Sequence, residues 1–186
     1  MDNQSFKSVR HSHTVITELM VPSYANFGGK IHGGTILSLM DKVAYVCAAK
    51  HAGVYCVTAS IDTVNFLAPV DVGELLSLKA MVNYVGKSSL VVGIRVESEN
   101  VKTNIVKHTN TSYFTMVAKG EDDKPLTVPG LLLETRDEIR RFVEAIKRKK
   151  FKETVMHEAK RIKTPMEIQE AYKLLEAERC RIDIVM

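Results

Sequence analysis

The chain has 186 residues, 45% of them apolar and 26% charged. That length supports one well-packed core and is short for two; the composition is that of a soluble globular protein, and no run of about 18 apolar residues offers a membrane span. The net charge of +4 sits largely in Lys147, Arg148, Lys149, Lys150 and Lys152, followed by Lys160, Arg161 and Lys163; with no interleaved aromatics and no nucleic-acid-binding motif, this reads as a solvated helix face, not a nucleic-acid or membrane contact.

The opening stretch MDNQSFKSVRHSH is polar and lacks the apolar centre of a secretory signal. Residues 12–21 alternate loosely, with Val15, Ile16 and Met20, and predict a first strand. Residues 22–34, PSYANFGGKIHGG, are loop chemistry throughout. From Thr35 to about His51 the residues Ile36, Leu37, Met40, Val43, Ala44, Cys47 and Ala48 recur at helical spacing. The predicted helix is buried on most sides and leaves Ser38, Asp41, Lys42 and Tyr45 on a polar strip, with Gly53 as its stop.

The period then drops to about two, and β-branched residues dominate four segments, near 55–66, 74–85, 88–100 and 105–118. Their short connectors predict antiparallel neighbours. A helix of about 17 residues spans roughly 25 Å, the reach of a strand of about eight. The expected fold class is therefore α+β, one long helix lying along a curved antiparallel sheet of about five strands. Beyond Pro129-Gly130 the chain turns to charged helical sequence with two capping boxes, Thr135 with Glu138 and Thr164 with Glu167, the second having Pro165 at the first helical position. Two C-terminal helices are expected, the second near 165–180 with Ile168, Tyr172, Leu175 and Arg179 on one face. The domain organisation read from this is a globular domain over 8–130 and a charged helical extension over 131–186.

Chemistry concentrates between Pro22 and Asp41. Gly33 and Gly34 at a helix start allow close backbone approach, and the free N–H groups of the first turn can hold a developing oxyanion; equally, the glycines can simply relieve crowding where a loop enters a buried helix. Asp41 lies two turns beyond Gly34 on the same side, about 10 Å along the helix. There it can activate water near a bound carbonyl or be an ordinary surface carboxylate. His32, beside the glycines, reads as a loop-positioning residue ahead of a proton-transfer one. Cys47, Cys56 and Cys180 are an odd number with no CxxC pairing, which suits free thiols in a reducing compartment and a cytoplasmic location. Cys47 and Cys56 read as small apolar fillers.

The segment PSYANFGGKIHGGTILSLMDKVAY resembles the signature of the hotdog acyl-CoA hydrolases, in which an Asn-x-x-G-x-x-HGG loop enters a central helix carrying an Asp or Glu near its middle. Asn26, Gly29, His32, Gly33, Gly34 and Asp41 occupy those places. VTASIDTVNFLAPVDVGE resembles the family's second signature and VGKSSL its third, so that the likeness covers about residues 8–130. It implies a hotdog fold and hydrolysis of acyl-CoA thioesters by a homodimer, often built into a hexamer of three dimers, with sites between subunits. Asp41 would act as general base or nucleophile, and Asn26 of the facing subunit would orient water or polarise the carbonyl. Gly33 or Gly34 would supply the oxyanion site. His32, Asn65, Lys87, Ser88 and Ser89 would contact substrate, the last three at the coenzyme A phosphates or pantetheine arm. No cofactor, metal, nucleic acid or membrane is expected. Two other classes compete: a noncatalytic acyl-CoA sensor, for which Asp41 would have no use, and a dehydratase, for which His32 lies in the wrong pattern.

Overall fold

The computed structural model describes residues 5–162, 167–176, 178–181 and 183. It divides into two compact units, the first ending at Ile146 and the second beginning at Lys147. The first unit runs β1 (Phe6–Ser8), β2 (Thr14–Leu19), α1 (Gly33–Ala52), β3 (Cys56–Ile61), β4 (Leu75–Val85), β5 (Ser89–Asn100), β6 (Ile105–Ala118) and β7 (Gly130–Leu132), and ends within α2 (Arg136–Ile162). The second holds the remainder of α2 and α3 (Ile168–Leu175).

Five strands form one antiparallel sheet in the order β2-β4-β5-β6-β3. Because β2 and β3 lie at opposite edges, the chain between them must cross the whole sheet, and α1 is that crossing. Its 20 residues extend about 30 Å and pack on the strands from β2 to β3. Alternation supplies the face it meets: Leu76, Leu78 and Val82 of β4, Leu90, Val92, Ile94 and Val96 of β5, and Phe114 and Met116 of β6 are buried, in one core with Ile36, Met40, Val43, Ala44 and Cys47 of α1. This is a helix wrapped by a curled sheet, the expected hotdog architecture. The helix stops where Gly53 takes the left-handed conformation (φ 75°), its N–H donating to the Ala49 carbonyl at 2.8 Å.

Four local expectations change. Helix α1 begins at Gly33, two residues before Thr35, because the preceding His32 caps it. The strand predicted over 55–66 ends at Ile61, after a bulge between Thr58 and Ser60; Asp62 and Leu67 then follow β6 through isolated bonds to the carbonyls of Tyr113 and Thr109. β1 and β7, three residues each and paired in parallel, are too short for any period to show. The last helix is Ile168–Leu175 with Glu167 as its N-cap, so Glu167 precedes the helix instead of sitting inside its first turn; Thr164 and Pro165 lie outside the described residues.

The first capping box is present: Thr135 Oγ1 accepts from the Glu138 N–H at 3.2 Å, and Glu138 Oε2 accepts from the N–H groups of Thr135 at 2.9 Å and Glu134 at 2.6 Å. The turns that follow, up to Ile146, are part of the first unit, where Phe142 meets Tyr84 of β4 at 5.1 Å between ring centroids and Ala145 is buried. Lys147, Lys149 and Lys150 of the basic stretch are exposed along α2.

Candidate active site on the open strip of the central helix

The loop before α1 is closed by Asn26. Its N–H donates to the Lys30 carbonyl at 2.7 Å, while its side-chain Oδ1 accepts from the N–H groups of Gly28 at 2.9 Å and Lys30 at 3.2 Å. Only an oxygen can accept from two N–H groups, so these partners fix which way the carboxamide points. The Nδ2 group makes no hydrogen bond among the described residues, and the side chain is exposed. Asn26 thus offers two donors outward and no acceptor.

His32 is the N-cap of α1. Its Nδ1 accepts from the Gly34 N–H at 2.9 Å, and its own N–H donates to the Tyr24 carbonyl at 2.8 Å. A ring nitrogen that accepts carries no proton, which makes His32 a cap and loop anchor in this arrangement. Side chains crowd both glycines: a Cβ on Gly34 would lie 3.0 Å from the His32 Nδ1, and one on Gly33 would lie 3.2 Å from the Phe66 ring. The Gly34 N–H is taken by the cap, whereas that of Gly33 makes no hydrogen bond among the described residues. Of the two candidate oxyanion donors, Gly33 is therefore the open one.

Along the strip beyond these glycines lies an open groove of about 450 Å³, lined by Tyr24, His32, Thr35, Ser38 and Lys42 among others. Asp41 is not among its lining residues and stands exposed on α1, two turns from Gly34. Its Oδ1 accepts a 2.6 Å hydrogen bond from Thr58 Oγ1, on β3 at the bulge. The bulge breaks the alternation of faces directly after Thr58, a common device where a side chain is aimed at a site. Tyr45, one turn further along α1, stacks obliquely on Tyr55 at 5.9 Å. Thr58 was not legible from sequence, since its partner lies 17 residues away on another element.

The remaining candidates stand apart within one chain. Asn65 is exposed in the irregular stretch after β3. Lys87, Ser88 and Ser89 form the β4–β5 turn, fixed by Gly86 N–H on the Ser89 carbonyl (2.8 Å), Ala118 N–H on that of Ser88 (2.9 Å) and Val128 N–H on that of Lys87 (2.9 Å). Ala118 pairs with Cys56, so this turn sits at the end of the sheet where α1 finishes, away from the Asn26 loop. Cys47 and Cys56 are buried, and burial pushes their thiols up to about 12 and about 11; both are core fillers, not nucleophiles. Among the described residues no group of three His, Cys, Asp or Glu side chains is placed to hold a metal ion, and no helix is long and apolar enough to cross a membrane.

A hotdog fold whose central helix carries an open carboxylate two turns from a terminal N–H with no hydrogen bond among the described residues has the parts of a hydrolytic site, and comparison with known proteins points to the same class. Residues 28–105 match the model of the thioesterase superfamily. The chain is 47% identical to protein VdlD of Helicobacter pylori over 74% of its own length and 79% of that protein. A hexameric acyl-CoA thioesterase solved without ligand is 37% identical, with a TM-score of 0.79 over 82% of this chain and 97% of that one. The acyl-CoA hydrolase of Staphylococcus aureus, solved with butyryl coenzyme A, coenzyme A and coenzyme A disulfide, is 33% identical, with a TM-score of 0.77 over 84% of this chain and 96% of that one. It is also known with a single aspartate, asparagine or threonine changed to alanine. The chain therefore belongs to the thioesterase superfamily, among its acyl-CoA hydrolases.

Proposed function

We propose that the protein hydrolyses acyl-CoA thioesters to a carboxylic acid and free coenzyme A, in the cytoplasm, with no cofactor beyond the coenzyme A carried by substrate and product. The observation that carries this reading is the Asp41 carboxylate, exposed on the open side of α1 and held by Thr58 at 2.6 Å. Asp41 acts either by taking a proton from water as that water adds to the thioester carbonyl, or by adding to the carbonyl itself. The Gly33 N–H lies about 12 Å along the helix from the Asp41 of its own chain, too far to serve the same carbonyl. With Asn26 it therefore belongs to the site of a facing subunit, where it receives the negative charge that develops on the carbonyl oxygen. The coenzyme A thiolate then leaves; where Asp41 has itself added, water cleaves the resulting acyl-aspartyl anhydride, releasing the carboxylic acid and restoring the Asp41 carboxylate.

Thr58 donates to one oxygen of Asp41 and so directs the other toward the reacting atoms. Asn26 belongs to the site of a facing subunit. Because its donors alone point outward, it polarises the carbonyl or holds the water oxygen, and it cannot accept the water's proton. Two features support a homodimer, and the likeness to a hexameric acyl-CoA thioesterase supports its further assembly. β3 leaves one of its edges unpaired at the rim of the sheet among the described residues, and Tyr45, Tyr55, Ile61 and Phe66 are exposed apolar side chains near it. In such an assembly, Lys87, Ser88, Ser89 and Asn65 contact the coenzyme A of a neighbouring site. The three residues substituted in the S. aureus hydrolase are spaced along that chain as Asn26, Asp41 and Thr58 are along this one.

The test is release of free thiol from short, medium and long acyl-CoAs by the native protein, Asp41→Asn and Asn26→Ala. Hydrolysis that falls about 100-fold or more in Asp41→Asn with the fold intact supports the assignment. Tight binding without turnover makes the protein a sensor instead, and turnover indifferent to Asp41 removes that residue from the mechanism.

A further inference from the structure

We propose that Asp71 and Lys107 are positioning residues for Asn26, forming with Lys30 and Glu74 an ion-paired clamp that holds the loop presenting the Asn26 donors. The inference rests on the reading of Asn26 as a donor to substrate or water.

The clamp starts from a buried anchor. Glu74, at the entry to β4, is 3% exposed; its Oε1 receives Lys107 Nζ of β6 at 2.8 Å, and its Oε2 accepts from the Asp71 N–H at 3.1 Å. Lys107 also donates to the Pro69 carbonyl at 3.1 Å and stands 3.6 Å from Asp71 Oδ2. Both ends of the connection before β4 are therefore fixed to the sheet. The other Asp71 oxygen takes Lys30 Nζ, so the anchored connection reaches the Asn26 loop. Lys30 is the residue whose backbone N–H and carbonyl close the ring around Asn26. Ile31 N–H donates to the Val70 carbonyl at 2.9 Å, adding a main-chain tie beside the ionic one.

The Asn26 carboxamide cannot turn without breaking its bond to the Lys30 N–H, and the Lys30 main chain is restrained both by the ion pair of its side chain with Asp71 and by the neighbouring Ile31–Val70 bond. Lys30 and Asp71 are each about half exposed, and an ion pair in that setting adds little to global stability. Its effect is local: it fixes the position of a loop that the core does not cover. Lys30, by its hydrogen bond first and its charge next, with Lys107 adding to it, holds the Asp71 carboxyl below the usual carboxylate range, so that carboxyl is ionised at neutral pH.

The experiment is a double-mutant cycle on the full-length protein, comparing native, Asp71→Asn, Asn26→Ala and the double variant for kcat and KM on the acyl-CoA hydrolysed fastest, with Tm as a check on folding. The expected result is that Asp71→Asn lowers kcat about tenfold with KM nearly unchanged. In the Asn26→Ala background the same change costs nothing further, because a clamp with nothing to position has no effect. Should Asp71→Asn fail to fold, Lys30→Met removes the same contact from its exposed side and is read in the same cycle. Native kcat in Asp71→Asn, or losses that multiply in the double variant, overturns the clamp and leaves the role of Asn26 standing. Native kcat in Asn26→Ala overturns the site reading, and this inference with it.

Discussion

The two faces of α1 are built from the same 20 residues and behave as opposites. Met40, Val43, Ala44, Cys47 and Ala48 are all fully buried against the sheet, whereas Asp41, Lys42 and Tyr45 on the other side are exposed or half-exposed. The buried face alone is enough to fix where the helix lies. The open face takes little part in that packing and can carry groups such as Asp41 whose main constraint is chemical. Substitutions on the two faces should accordingly move different observables.

The largest effect is expected on the buried face. Met40→Ala removes a fully buried side chain opposite the sheet and should lower unfolding stability by about 3 kcal/mol, with kcat per folded molecule largely kept; denaturant melts beside activity assays will show it. Asp41→Asn, one residue along the chain, should do the reverse. Its turnover should drop by about two orders of magnitude, roughly 2.7 kcal/mol in transition-state terms, while Tm stays native. If both changes moved stability and activity together, the division between the faces would be wrong.

Thr58→Val is a finer probe. It keeps the shape of the side chain and deletes the donor to Asp41, so turnover should fall about tenfold with Tm shifted by no more than about two degrees.

The smallest effect concerns His51, at the buried end of the helix. Its Nε2–H donates to the Pro129 carbonyl at 2.9 Å, its buried Nδ1 has no partner among the described residues, and burial lowers its pKa below the ordinary 6.5. The unfolded chain then binds this proton more readily than the folded one, so the neutral form's stabilisation is complete above 6.5 and is lost as pH falls below it. His51→Gln should flatten that part of the Tm-against-pH curve, and an unchanged slope would assign the pH dependence to other groups.

The sequence carried this comparison unevenly. The change of period from about 3.6 to about 2 placed α1 and four of the five strands of the main sheet to within a few residues, because burial on one face writes a pattern along the chain. Asp41 was one of several polar residues on the helix's open strip, and it and the glycines were singled out by the Asn-x-x-G-x-x-HGG pattern that leads into that helix. Thr58 was hidden: a threonine in a strand is ordinary, and what sets it apart is a contact across the fold. The same holds for Asp71 and Lys107, which read as connector and strand residues until the sheet brings them to Lys30. The direction of the Asn26 carboxamide was equally out of reach, since residue type cannot say which end of an amide its own loop will use.

That direction has an electronic consequence. An amide is a conjugated unit, and two N–H groups drawing on its oxygen pull density from its nitrogen, so each bond accepted at Oδ1 sharpens the Nδ2 protons as donors. The loop around Asn26 therefore does more than hold the side chain in place: it polarises the carboxamide before any substrate arrives.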